Sequence, residues 1–349
     1  MTAPPAAAIR RFVETGEGDF SALAIELFHW QVANNPTYRA LVDGARPTRV
    51  DEIPAVPVAL FQSLTLMSFP VEQATVTFRT SGTTGSVRGV HRLRDTTLYD
   101  LGAWRHFAKS AVPLPAPAPV GQVVSLCPED ADSSLGHMVG QFAARLGGAP
   151  LPLFQGGGVV PDAWARLAAA AADGPVFLAA TAFALDALFA VPGRVSLGAD
   201  SLVMVTGGFK GREVRLDAAS LYAAVPERLG APRVIGEYGM TELSSQLWTT
   251  PVAAGERPDA FVAPPWLRVY TVDPMSGEPV DGEGLLRFVD LCNVDSVLAI
   301  ETMDLGVVAH AATGDAVTLR GRLAGAEARG CSMRAEDFLA AVRGAGTGE

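Results

Sequence analysis

Lysine is nearly missing from this 349-residue chain: Lys109 and Lys210 are the only two, and arginine supplies every other strong cation. Lys+Arg 27 against Asp+Glu 37 leaves a net charge of −10, which excludes a general nucleic-acid binder, whose footprint is basic. Cysteine is scarce as well. Cys127, Cys292 and Cys331 stand far apart with no C-x-x-C pair, so neither a disulfide framework nor a zinc site is expected, and the chain reads as cytoplasmic. The five histidines fall at no metal-binding spacing. Long apolar runs are also lacking. The longest, Val176–Val191, is interrupted by Thr181 and Asp186, too short and too broken for a membrane span. At the start, M-T-A-P-P-A-A-A-I-R-R puts prolines where a signal peptide needs an unbroken apolar core.

What remains is a compact globular composition, with 49% hydrophobic and 18% charged residues. Its length suits one large domain or two unequal ones. Residues 8–45 read as helical, with Ser21 placed to cap a helix that ends before Asn34-Asn35-Pro36. Strands are expected at Ala74–Phe78, Gln122–Leu126, Val176–Ala180, Leu202–Thr206 and Arg233–Ile235. Between them, helices are expected at Thr96–Ala108 (Leu98, Leu101, Trp104 and Phe107 inward), Trp164–Ala172, Ala182–Ala190 and Leu216–Ala224. Such alternation marks an α/β layered fold. The last third changes to short strands at Leu267–Val272, Gly284–Phe288, Leu298–Thr302 and Ala316–Arg320, a β-rich subregion, before a helix at Ala335–Val342.

The most informative stretch is Thr80–Gly89, T-S-G-T-T-G-S-V-R-G. Glycines Gly82, Gly85 and Gly89 let the backbone approach a ligand closely, and Ser81, Thr83 and Thr84 add hydroxyl donors. Consecutive N–H groups in such a turn form an anion site, with Arg88 as a nearby cation. No Gly-Lys-Ser/Thr follows, so this is not the Walker loop. An ordinary Ser/Thr/Gly-rich surface turn is the competing reading. Downstream, Glu237-Tyr238-Gly239-Met240-Thr241-Glu242 follows a strand, at the end where α/β sheets bind ligands. There Tyr238 offers an aromatic face, Thr241 a hydroxyl and Glu242 a hard carboxylate suited to magnesium. Asp304 stands just after another expected strand, and Gly321-Arg322 opens a hinge-like segment.

T-S-G-T-T-G-x-x-R-G, Y-G-M-T-E, T-x-D and G-R, in that order, resemble the core motifs of the adenylate-forming (ANL) superfamily. The finer pattern resembles its acyl-protein synthetase (LuxE-type) branch, through Ser133-Ser134-Leu135, Thr206–Lys210, Tyr238–Gln246, Asp295–Asp304 and Gly321–Ser332. The resemblance spans roughly residues 55–335. It implies a large adenylate-forming domain over 1–320, with layered α/β sheets and a β-rich subregion, then a truncated C-terminal lid over 321–349. It implies ATP and Mg2+ as cofactors and a carboxylic, here fatty, acid as substrate. Thr80, Ser81, Gly82, Thr83, Thr84, Gly85 and Arg88 would hold phosphates, Glu242 the metal, Tyr238-Gly239-Met240-Thr241 the nucleotide, and Asp304 the ribose. Ser134, His137, Gly207 and Gly208 would border the acid.

The chain departs from the full-length pattern. Only 27 residues follow Arg322, none of them lysine, so the usual lid with its catalytic lysine is not expected. Lys210, Arg322 or a partner protein would have to supply the missing cation. Lys210, in a glycine-flanked loop, is the favoured source; a plain exposed lysine is the competing reading. In the acyl-protein synthetases a cysteine near the C terminus takes the acyl group. Cys331 is the one so placed, and neighbouring Arg329 favours its thiolate. A buried structural cysteine is the alternative there, and packing is the reading preferred for Cys127 and Cys292. Apolar Val176–Leu188 is expected to line the acyl pocket. Delivery would be to a reductase or other acyl acceptor. Rival readings are an acyl- or aryl-CoA ligase like the phenylacetate–CoA ligases, and an idle ATP-binding subunit.

Overall fold

The computed structural model describes residues 3–42, 44–81, 87–111, 121–146, 148–207, 215–311 and 314–323. The chain divides into two compact units, each assembled from separate stretches. One holds residues 1–103, 240–245 and 262–349; the other holds 104–239 and 246–261. The hexapeptide Met240–Ser245 thus belongs to the first unit, although the chain on both sides of it belongs to the second.

In the second unit, the apolar runs expected as strands form a parallel sheet, ordered Leu151–Pro152, Gln122–Leu126, Val176–Thr181, Leu202–Thr206, Arg233–Tyr238. The short Leu247–Trp248 strand adds antiparallel to the last of these. Strands covered on both faces read as continuous hydrophobic runs, and Leu178, Ala179, Ala180, Val203 and Met204 have no exposed surface. Thr181 ends its strand and caps the Ala182–Ala190 helix by accepting from the Ala184 N–H at 3.1 Å. This strand–helix passage matches the sequence reading. Val176, Leu178, Ala180, Leu185 and Leu188 of this run pack in the core with Leu167, Val203 and Leu221. The single helix expected over Leu216–Ala224 is instead two short ones, Ala218–Ala223 and Val225–Leu229, with Asp217 capping the first and Pro226 opening the second.

In the first unit, the β-rich subregion is an antiparallel ladder of Leu267–Val272, Glu283–Asp290, Ala299–Ala309 and Ala316–Arg322, with Val56–Pro57 added parallel to the third strand. The Phe20–Asn34 helix is capped by Asp19, which accepts from Ala22 N–H at 2.8 Å, and not by Ser21. Phe20 is already inside, so the helix starts two residues earlier, and a carboxylate suits the N-terminal dipole. Its buried Gln31 reaches the Asn293–Leu298 loop, donating to Asn293 O and Val294 O and accepting from Leu298 N–H. Ser68 Oγ donates to Ser296 O and Arg94 pairs with Asp295, so this loop is fixed from two further segments of the unit. The helix read as Thr96–Ala108 runs Thr97–Ala111, belonging to this unit as far as Ala103. It buries Tyr99, Gly102, Ala103, His106 and Phe107 while Leu98, Leu101 and Trp104 stay half-buried. Its face is turned because Gly102 lets Trp266 and Cys292 approach, at 3.3 and 3.5 Å from where a β-carbon would sit. Among the described residues no helix is long and apolar enough to cross a membrane.

Candidate active site

The glycine- and hydroxyl-rich stretch sits at the tip of an antiparallel hairpin, Val76–Arg79 with Val90–Leu93. Its base is closed by Thr80 N–H to Gly89 O at 3.0 Å and Gly89 N–H to Thr80 Oγ1 at 2.8 Å. Arg88 folds back on this base, donating to Thr80 O at 2.5 Å and Arg79 O at 3.2 Å. Ser81 is exposed at the start of the loop. Gly82, Thr83, Thr84 and Gly85 lie outside the described residues, as do Gly208, Lys210, Cys331 and the expected Ala335–Val342 helix.

Glu242 comes to this same hairpin from far along the chain. A β-carbon at Gly89 would stand 3.0 Å from Glu242 Oε1 and 3.0 Å from Thr80 Cγ2, so the absence of a side chain at 89 is what admits the carboxylate. Glu242 is only 5% exposed. The segment carrying it is held by its main chain. His91 Nδ1 lies 2.7 Å from Thr241 O, and Asn293 Nδ2 donates to Glu242 O at 2.9 Å. Asp290 accepts from Ser244 N–H at 3.0 Å and from Ser245 Oγ at 2.7 Å. Burial pushes the Asp290 carboxyl up to about 6 against the hydrogen bonds it accepts from Ser244, Ser245 and Cys292, and pulls His91 down, so the imidazole is neutral near pH 7. A carbonyl can only accept, so His91 carries its proton on Nδ1.

Asp304 and Arg322 also meet in this unit, as cross-strand partners with Arg322 Nε 3.6 Å from Asp304 Oδ1. Both positions correct the sequence reading. Asp304 lies in the middle of the Ala299–Ala309 strand and not after it, because Glu301 is paired at 2.9 Å with Arg287 across the ladder and the strand continues through its polar residues. Gly321-Arg322 ends the Ala316–Arg322 strand; Gly321 takes φ +129 beside a register shift, where the ladder admits an extra residue.

In the second unit, the parallel strands bring their carboxyl ends together at Leu126, Thr181, Thr206 and Glu237. Tyr238 and Gly207 stand there as expected. Gly207 has φ +68, a conformation that favours glycine, and Tyr238 meets Phe261 edge-on at 6.2 Å between ring centres. Buried Glu237 accepts from Thr206 Oγ1, and a β-carbon on Gly239 would lie 2.5 Å from Glu237 Oε1. Ser134 and His137 occupy the first turn of the Ser134–Arg145 helix, capped by Ser133. Cys127, with no exposed surface and its thiol pushed up to about 12 by burial, is a packing residue, and buried Cys292 is another.

Thr80, Gly89, Thr241 and Glu242 therefore converge in the first unit, as do Asp304 and Arg322. Gly207, Tyr238 and Gly239 belong to one strand-end edge in the second. The chemistry of the donors fits a metal–nucleotide group. A buried hard carboxylate beside a loop rich in N–H and hydroxyl donors suits magnesium, which takes one or two protein carboxylates and otherwise phosphate and water. Among the described residues there is no cluster of three His, Cys, Asp or Glu that would make an all-protein metal cage. The sequence reading overlooked His91, Asn293 and Asp290. Their one local signal was the polar interruption Asp290-Leu-Cys-Asn293 after a strongly apolar strand.

No protein-family model matches the chain, and no curated protein matches it. Solved structures do. A 2-hydroxyisobutyryl-CoA ligase in the postadenylation state with 2-HIB-AMP aligns over 92% of this chain and 69% of its own, with a TM-score of 0.64 at 14% identity. The same ligase, open and with 2-HIB-AMP and CoA, aligns over 92% and 71% at a TM-score of 0.62 and 13% identity. ATP-bound MatB from Rhodopseudomonas palustris aligns over 74% of this chain and 50% of its own, at a TM-score of 0.48 and 16% identity. The likeness to the 2-hydroxyisobutyryl-CoA ligase establishes architecture: this chain has the mixed α/β fold of the adenylate-forming ligases.

Proposed function

We propose that this chain activates a carboxylic acid with ATP, forming an acyl-adenylate and pyrophosphate. The observation that carries the reading is the lodging of Glu242 against Gly89 and Thr80, which sets a metal-competent carboxylate at the root of the glycine-rich loop. ATP supplies the leaving group: a carboxylate oxygen of the acid attacks the α-phosphorus as the bond to pyrophosphate breaks. The protein's part is positioning and charge stabilisation. By the adenylate-forming resemblance, Ser81, Thr83, Thr84 and Arg88 would bind phosphate oxygens, Glu242 would hold Mg2+, Tyr238 would face the adenine, and Asp304 would accept from the ribose. Lys210, with Arg322 as the alternative, meets the charge that develops.

The acyl acceptor follows the LuxE-type resemblance: the Cys331 thiolate attacks the acyl carbon, AMP leaves, and the thioester passes to a reductase or other acceptor. The acid is a fatty acid on that reading. The second reading, direct transfer to CoA, is favoured by the fold shared with a ligase solved with CoA. The deciding experiment supplies ATP, magnesium and a panel of radiolabelled acids, with and without CoA. Acid-dependent ATP–pyrophosphate exchange supports adenylation. A hydroxylamine-labile protein band lost in Cys331→Ser assigns the acceptor to the cysteine, and label appearing only on CoA assigns it to CoA. Absence of exchange with every acid in the panel would leave an idle ATP-binding subunit.

A further inference from the structure

Glu242 touches the loop by its side chain, but what places it there is a set of contacts to main-chain carbonyls. His91 is the second residue of the strand that leaves the glycine-rich loop, in register with Phe78 across the hairpin. Only 1% exposed, it spans 150 positions of sequence to the Thr241 carbonyl. Asn293 uses both ends of its side-chain amide. Its Nδ2 donates to Glu242 O at 2.9 Å and Val297 O at 2.8 Å, while Oδ1 accepts from Ser244 Oγ at 3.1 Å. Asn293 is in turn anchored by Gln31 of the Phe20–Asn34 helix, which donates to its carbonyl at 2.8 Å. Consecutive carbonyls, 241 and 242, are thus each gripped by a buried side chain from a different segment of the same unit. Neither His91 nor Asn293 is needed to bind a phosphate or a metal itself. Burying polar groups is costly unless they are matched. His91 Nδ1 and the Asn293 amide are matched at these two carbonyls while His91 Nε2 has no partner among the described residues, so the two contacts specify the backbone path around Glu242.

We propose that His91 and Asn293 are positioning residues for Glu242, fixing the backbone on which its carboxylate meets the end of the glycine-rich loop and so setting the affinity for magnesium. His91 does this from the hairpin that carries the loop, tying the Glu242 segment to the strand Val90–Leu93. The inference rests on the ATP-dependent reading above.

The test compares wild type, Glu242→Gln, His91→Phe, His91→Asn and Asn293→Ser. Each is titrated with ATP in EDTA and with magnesium at fixed ATP, followed by calorimetry, with circular dichroism and melting temperature as folding controls. For His91→Phe and Asn293→Ser the magnesium concentration for half-saturation rises by about tenfold or more, the usual consequence of removing an outer-shell partner. ATP affinity in EDTA stays at the wild-type value. His91→Asn, whose amide can donate from the place of Nδ1, recovers most of the loss, which a general packing defect would not allow. Should His91→Phe fail to fold, Asn293→Ser carries the comparison, since its short side chain leaves room for water at both carbonyls. Folded variants with wild-type magnesium dependence, beside a Glu242→Gln enzyme that has lost it, overturn the positioning role alone. A Glu242→Gln enzyme that keeps wild-type dependence overturns the ATP reading, and this inference with it.

Discussion

Glu242 Oε1 and the missing side chain of Gly89 share one space: an ideal β-carbon on residue 89 falls 3.0 Å from that oxygen. Gly89 does not adopt the left-handed backbone, so alanine there is a steric probe with no conformational penalty of its own. Gly89→Ala displaces the carboxylate by a few tenths of an ångström. Acid-dependent pyrophosphate exchange is expected to fall by about tenfold, since a full ångström of misplacement costs about a hundredfold. The melting temperature should change little. Exchange at the wild-type rate would show that Glu242 does not act from this position.

Gly239→Ala tests the second unit in a different currency, stability. The added carbon would lie 2.5 Å from Glu237 Oε1, and Glu237 is buried and held by the Thr206 hydroxyl. Overpacking of this kind costs about 1–3 kcal/mol, measurable as a lower urea midpoint at an unchanged slope. Because the strain is relieved when Glu237 shortens, Gly239→Ala with Glu237→Asp should recover part of the loss.

Asp290 gives a pH signature. Its folded value is raised to about 6 from 3.8, so between these values the native state binds more protons than the unfolded chain. Stability contributed by this group is therefore present below pH 3.8 and lost as pH rises through about 6. The swing is about 3 kcal/mol. Asp290→Asn loses hydrogen bonds to Ser244 and is less stable at every pH, but its deficit relative to wild type shrinks as pH is raised from 4 to 8. A deficit that is constant over this range contradicts the assignment of the raised carboxyl to Asp290.

Lys210 and Cys331 separate two half-reactions. Lys210→Ala is expected to lower exchange by about a hundredfold or more if the amine meets developing charge, while Cys331→Ser leaves exchange intact and removes the hydroxylamine-labile protein band. Normal exchange in Lys210→Ala would pass the role to Arg322.

The elements that could be read from the sequence were those whose signals are local. Val176–Thr181 and Ala182–Ala190 were legible because an apolar strand, a Thr cap and a proline stop follow one another along the chain. The Ala299–Ala309 strand was read too short, since Asp304 looks like a loop carboxylate until its Arg322 partner on the neighbouring strand is known. The loop and Glu242 were legible as motifs. Their meeting at Gly89 was not, nor were His91 and Asn293, because each of those contacts joins residues 51 to 150 or more positions apart and leaves no periodic trace.

The division of the chain bears on any attempt to re-engineer it. A continuous graft of residues 104–261 from a related ligase, meant to exchange one unit, would import Met240–Ser245 with it while leaving His91, Asp290 and Asn293 in the recipient. Such a chimera would present a foreign hexapeptide to native anchors, so the splice has to retain residues 240–245 of the host.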